Sequence, residues 1–266
     1  MCRIYHYTKI DTLEVIVRNN TFRFNRLDKV DDQEESKFWS GPTKLMTGKY
    51  IFISSWTKEK EEISDLWERY GDNHKGVRIS MREPFLQSEQ HNLFRNFRFF
   101  SPDLRKYNDC VFPFICNEAK LHDVQYVSNN EQRILDLVHS EQDLIKIKIK
   151  ELGIYKNIEP WVCQKECRYK IIAFPFSDDI VSSLDGSGND MFKLVDNIIE
   201  SLLRGKRYIK PEYIDIPLLP SALRSIKITM GKNTTKEDKE RVLKLLNISS
   251  LSNKIFRNRV TNSEFK

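Results

Sequence analysis

Glycine is scarce, nine residues in 266, and the loops that glycine normally builds are missing with it. Gly186-Ser187-Gly188 lacks the third glycine of a dinucleotide fingerprint, and Gly71 to Gly76 has P-loop spacing but is followed by Val77 where a lysine belongs. There is no HExxH and no GxSxG, so zinc-peptidase and serine-hydrolase chemistry have no visible signature. Cysteine is sparse and odd in number, five in all, which speaks against a secreted disulfide framework. Cys110 and Cys116 are separated by five residues and Cys163 and Cys167 by three. Neither pair has the usual zinc-ligand spacing, so free thiols and no metal are expected. No stretch approaches the roughly 18 apolar residues of a membrane span. The segment Met1-Cys2-Arg3-Ile4-Tyr5-His6 has no apolar signal core. The expectation is a soluble, cytoplasmic protein without a membrane partner.

What is present is bulky and charged. Sixteen Phe, ten Tyr and four Trp within a 39% hydrophobic chain are ample for a closed core. The net charge of +6 is unevenly placed, because Arg224 to Lys266 holds eleven basic and four acidic residues and the rest of the chain is close to neutral. Such a segment reads either as a solvated helix and tail or as the footprint of an anionic partner such as nucleic acid. With only Phe256 and Phe265 as aromatics, it has little to stack on bases, which favours the first reading.

Alternation predicts strands at 3–8, 21–24, 50–56, 76–81, 123–127, 167–173 and 226–230. Helical spacing predicts helices over 10–19, ended by Asn19-Asn20, over 61–70, stopped by Gly71, and over 134–152, 190–204 and 236–246. Residues 211–220 read as extended. Strands and helices intermix without regular βαβ alternation, which predicts an α+β fold.

Three places carry candidate chemistry. His6 lies mid-strand between Tyr5 and Tyr7, either packed or donating a hydrogen bond to a ligand hydroxyl. Ser54-Ser55-Trp56 followed by Trp67-x-x-Tyr70 brings hydroxyls and flat rings close in sequence, with core packing preferred for Trp67. On a strand, Gln164, Glu166 and Arg168 share one face, which then needs water, a ligand or mutual pairing. The plain alternative is a Glu166–Arg168 ion pair on a solvated sheet face.

These residues resemble a bacterial domain-of-unknown-function family, number twenty-nine seventy-one. The resemblance runs in order through His6-Tyr7-Thr8, Phe22-Arg23-Phe24, Asp32 and Glu35 of an acidic loop, and Trp67-x-x-Tyr70 with His74-Lys75-Gly76-Val77. It continues through Trp161 with Lys165-Glu166-x-Arg168, Ile216-Pro217, and Ile226-x-Ile228-x-Met230-Gly231. It covers most of one α+β domain over 1–250, with insertions near 85–120 and 174–210 and a basic tail, expected to be frayed, over 251–266. Gln164 departs from the pattern, standing where relatives have Glu.

That layout is similar to ADP-ribosyltransferases, whose split β-sandwich with flanking helices carries His or Arg on the first strand, Ser or Tyr on a middle strand and Glu on a late one. The resemblance implies NAD as substrate, with Glu166, Gln164 and His6 catalytic. Glu166 would hold the nicotinamide-side ribose, His6 the adenosine-side ribose, and Gln164 would orient an acceptor. Ser54 or Ser55 would brace Glu166, and Tyr70 or Trp56 would stack on nicotinamide. Tyr7 and Thr8 would border the dinucleotide, while Arg168 would contact a phosphate or only pair with Glu166. The acceptor would be protein, nucleic acid or water, in a toxin or phage-defence setting. Two other classes stand beside this one: a nucleic-acid-binding or nuclease component, and a non-catalytic interaction protein.

Overall fold

The computed structural model describes residues 3–36, 47–86, 121–128, 151–176, 210–248 and 260–264. Shorter stretches at 38–40, 43–45, 110–113, 138–141 and 144–147, with four single residues between 189 and 197, are described as well. The strands in chain order are β1 (Arg3–Thr8), β2 (Thr21–Arg26), β3 (Phe38–Ser40), β4 (Thr43–Leu45), β5 (Ile51–Thr57), β6 (Val77–Arg82), β7 (Cys110–Pro113) and β8 (Leu121–Asp123). They continue with β9 (Gln125–Val127), β10 (Val138–Glu141), β11 (Leu144–Ile147), β12 (Tyr155–Asn157), β13 (Glu166–Phe176), β14 (Tyr213–Pro217), β15 (Lys227–Met230) and β16 (Val260–Asn262). The helices are α1 (Ile10–Asn19), α2 (Ser64–Arg69), the short α3 (Ile158–Trp161), α4 (Pro220–Ser225) and α5 (Lys236–Ile248).

A large, mostly antiparallel sheet runs β14-β2-β5-β1-β6-β15-β16, with β13 along the other edge of β5; the fold is α+β. One face of this sheet is apolar because alternate residues face one way. Ile4, Phe22, Phe24, Phe52, Trp56, Ile79, Met81, Tyr169 and Ile171 are buried there in one cluster with Ile10, Leu13, Ile16 and Val17 of α1 and Val242, Leu245 and Leu246 of α5. α1 ends where its periodicity stops, at Asn20 in the left-handed conformation, φ 53°, which asparagine tolerates better than most residues.

The opposite face is polar. The register Tyr5↔Thr57, Arg168↔Ser55 and Glu166↔Thr57 puts Tyr5, Tyr7, Ser55, Thr57, Glu166 and Arg168 on it, with Arg23 and Asn25 of β2. The turns after β2, the α2 segment and residues 151–164 pack against this face.

One edge of β5 is shared. β2 pairs with Phe52 and Ile53, β1 pairs with Thr57, and Ser54 to Trp56 have no ladder partner there. β1 and β2 diverge over this gap, and the sheet splits.

Several expectations change. Within 134–152, residues 138–141 and 144–147 pair as antiparallel strands, not a helix: the β-branched Ile145 and Ile147 alternate with lysine and favour a strand. Helix α2 starts at Ser64, later than expected. Gln164 is not on β13 but closes a 3₁₀ turn, Val162–Gln164, and Lys165 follows in the left-handed conformation. The tail is not frayed throughout, since Val260–Asn262 pairs in parallel with Ile228–Met230. The insertion near 85–120 and the helix expected over 190–204 lie largely outside the described residues, as does most of the 174–210 insertion.

Candidate functional site

At the split lies a cavity of about 290 Å³, near the small end of ligand pockets. Its mouth carries Arg23, Asn25, Lys29, Asp31 and Ser55, all exposed, and its floor carries Glu35, Lys156, Gln164, Glu166 and Arg168, all buried. Tyr5, His6, Tyr7, Ser54, Trp56 and Tyr70 complete the wall.

The floor is an ion quartet. Arg168, fully buried, donates from Nε to Glu166 at 2.9 Å and from its terminal nitrogens to Glu35 at 2.5 and 3.4 Å and to the Gly153 carbonyl at 2.9 Å, and a terminal nitrogen also lies 2.7 Å from Glu166. Four of its five N–H groups donate to these acceptors. Lys156 Nζ lies 3.1 Å from Glu166, 3.4 Å from Glu35 and 3.2 Å from Gln164 Oε1, above the Trp161 ring at 4.2 Å. Two carboxylates and two cations cancel, which is what makes burial of four charges tolerable. Burial pushes the Glu166 carboxyl upward, but Arg168 and Lys156 outweigh it and hold the pKa at about 2, with help from the Ser55 hydroxyl. For Glu35 burial wins over Arg168 and the value is raised. Lys170, on the same face, donates to the Leu152 carbonyl, and burial lowers its pKa to about 8.

A hydrogen-bonded chain leads from this floor to the mouth. Lys156 donates to Gln164 Oε1, Gln164 Nε2 donates to the Tyr70 hydroxyl at 3.3 Å, and that hydroxyl donates to Asp31. Burial and Asp31 together raise the Tyr70 pKa, so it stays a phenol.

His6 approaches from the other side of the split. Its Nδ1 is 2.8 Å from the Ser55 carbonyl. A carbonyl only accepts, so Nδ1 carries the proton and donates, replacing the strand N–H that the gap removes. Nε2 is left as an acceptor on the neutral ring, which reverses the donor role expected from the sequence. Phe22 and Trp56 flank the ring at 5.0 and 5.2 Å, and burial lowers its pKa to about 4 against the raising effect of the Ser55 bond.

Of the residues singled out from sequence, His6, Tyr7, Ser54, Ser55, Tyr70, Gln164, Glu166 and Arg168 all line this one cavity. Thr8 does not; it is buried at the end of β1 on the apolar side. Between the two serines the register decides. Ser55 is opposite Arg168 on the polar face, whereas the Ser54 hydroxyl accepts from Trp56 Nε1–H at 2.9 Å. The Tyr7 hydroxyl accepts from the Ile63 amide at 3.1 Å and its ring packs edge-on against buried Trp67, so Trp67 is a core residue, as expected. The Glu166–Arg168 pair exists but beneath cover rather than on a solvated face. Cys163 and Cys167 are free thiols.

The sequence reading missed Lys156, Asp31, Asn25 and Lys29, and the place of Arg23. Lys156 had one local signal, a lysine inside the apolar run Ile154-Tyr155-Lys156, which needs a buried carboxylate if that run is a strand. No family model, curated protein or solved structure matches the chain. Among the described residues, no helix is long and apolar enough to cross a membrane.

Proposed function

We propose that the chain is an ADP-ribosyltransferase-like domain of the family resembled in sequence, and that it cleaves the nicotinamide–ribose bond of NAD and passes ADP-ribose to a macromolecule or to water. A cytoplasmic toxin or phage-defence setting goes with that resemblance. One observation carries the reading: a strand-borne His, a mid-sheet Ser and a late-strand Glu, far apart in sequence, border one cavity at a split in the sheet.

Bond cleavage develops positive charge on the ribose. Glu166, held ionised by Arg168 and Lys156, puts fixed negative charge beside that ring, where little reorganisation is needed as the charge develops. Ser55 is the exposed hydroxyl that contacts Glu166, so a ribose 2′-hydroxyl competes for the position that the Ser55 hydroxyl occupies. His6 Nε2 accepts from a ribose hydroxyl. Tyr70, its hydroxyl tied on both sides, presents a stationary ring for nicotinamide; Trp56, packed among His6, Phe22 and Phe85, does not. Gln164 is anchored by Lys156 and Tyr70 and orients without ionising.

A second reading has its own support. Arg168, Lys156 and Ser55 together engage much of the Glu166 carboxylate, as a structural network would, and this suits a relative that binds the nucleotide without turning it over.

The test compares Glu166→Gln with Glu35→Gln below the melting temperature of both. Each breaks the same quartet, so each is less stable. The NAD-cleaving reading expects nicotinamide release by the unmodified protein, a loss of about 10²–10³-fold in Glu166→Gln, and substantial activity in Glu35→Gln. Equal losses in both, or no nicotinamide released with plausible acceptors present, overturn it.

A further inference from the structure

Arg168 is fully buried and held by Glu166, Glu35 and the Gly153 carbonyl, so it does not present its guanidinium to a phosphate. A nucleotide diphosphate bound at this cavity must be met elsewhere. We infer that Arg23 and Lys29, on the β2 side of the mouth, form a diphosphate subsite. That the diphosphate belongs to NAD rests on the function proposed above; the preference for a phosphorylated nucleotide rests on the two cations themselves.

The charge distribution points there. On the floor, Glu35 and Glu166 are cancelled by Lys156 and Arg168. The exposed ionic lining is then Arg23, Lys29 and Asp31, and Asp31 accepts from Tyr70 at the α2 side. Both cations are positioned from outside the cavity, by carboxylates that do not line it. Arg23 donates from Nε and a terminal nitrogen to Asp215 at 2.9 and 3.0 Å, with the Tyr213 ring 3.4 Å from its guanidinium carbon. Lys29 meets Glu212 at 2.6 Å. The β2–β14 register, with Arg23 opposite Asp215, fixes the first pair.

These are exposed pairs, with side chains 43% and 42% accessible for Arg23 and Lys29. Such pairs hold geometry at little energetic depth, so a more highly charged anion competes for the cations. An ammonium has three donors, and one goes to Glu212. Asn25, on the same face of β2 and also at the mouth, adds an amide. The β2 wall thus offers donors held in advance, the condition under which binding costs least.

Calorimetric titration with ADP, inorganic pyrophosphate and nicotinamide riboside tests this on the full chain, in the unmodified protein, in Lys29→Ala and in Arg23→Ala/Lys29→Ala. ADP affinity should fall about tenfold or more per cation removed and should fall as salt rises, while nicotinamide riboside is unaffected by either. Lys29→Ala, which breaks only an exposed pair, guards against misfolding of the double variant. Pyrophosphate binding as ADP does shows that the free anion suffices; ADP binding alone, still dependent on Lys29, shows that the nucleotide must carry it. ADP affinity unchanged in both variants, or no ADP binding by the unmodified protein, overturns the subsite. The two proposals fail separately. Lys29-dependent ADP binding without nicotinamide release keeps the subsite and removes NAD cleavage; nicotinamide release whose KM ignores both cations does the reverse.

Discussion

Glu166 and His6 meet the same burial with opposite outcomes. Burial disfavours charge on both. Glu166 keeps its charge because Arg168 and Lys156 are within hydrogen-bond reach; His6 has only a carbonyl and two aromatic neighbours, so its ring is neutral. A pH dependence follows from His6. Its folded pKa of about 4 is below the ordinary 6.5, so the unfolded chain takes up the proton first as pH falls. Stability is therefore lost from about pH 6.5 downward and the loss levels near pH 4. In His6→Asn, whose amide reaches the Ser55 carbonyl but does not titrate, the melting temperature should vary less over that window; circular-dichroism melts at several pH values measure it. The chemistry of these side chains was legible in the sequence, but their states were not. Nothing local in Glu166-x-Arg168 reveals that Glu35 and Lys156, from separate segments, complete the quartet.

Among the elements, the α2 segment joins the cavity wall to the end of the chain. Glu62, just before α2, accepts from Trp67 Nε1–H at 2.9 Å, from the Ser263 hydroxyl and from the Glu264 amide at 3.3 Å. Glu62→Ala leaves the buried indole N–H without its acceptor, and a stability loss of about 1–3 kcal/mol is expected, read by urea denaturation. The loop after α2 is equally constrained. Asp72, Asn73 and His74 all have positive φ, and a side chain at Gly231 would meet the His74 carbonyl oxygen at 2.1 Å, so glycine is required there. α1 was readable because its apolar stripe and its Asn20 terminator agree. The strands at 138–141 and 144–147 fall where helical spacing predicts a helix, because apolar residues in so short a segment fit both periods.

For the whole molecule, the excess positive charge after residue 223 proves partly structural. Arg241 of α5 pairs with Asp11 and Glu14 of α1, and Lys239 bonds Asn262 of β16. Deleting 260–266 should therefore lower the melting temperature, since it removes a strand from the sheet and two partners from Glu62; thermal denaturation checks this. A nucleic-acid role is better probed by reversing the charge of Lys236 and Lys244, which are exposed, than by truncation.

By itself the sequence determined the α+β class, the strands β1, β2, β5, β6, β13 and β15 within a few residues, and several of the residue types that line the cavity. Those are set by local periodicity and side-chain chemistry, which each segment carries alone. Only the tertiary structure decided that β1 and β2 part over Ser54 to Trp56. It also decided that Ser55 rather than Ser54 faces Glu166, that the His6 Nδ1–H is committed to the Ser55 carbonyl, and that Arg168 is spent on carboxylates. Each of these depends on register and on partners distant in the chain, and a one-residue change of register exchanges the two faces of a strand.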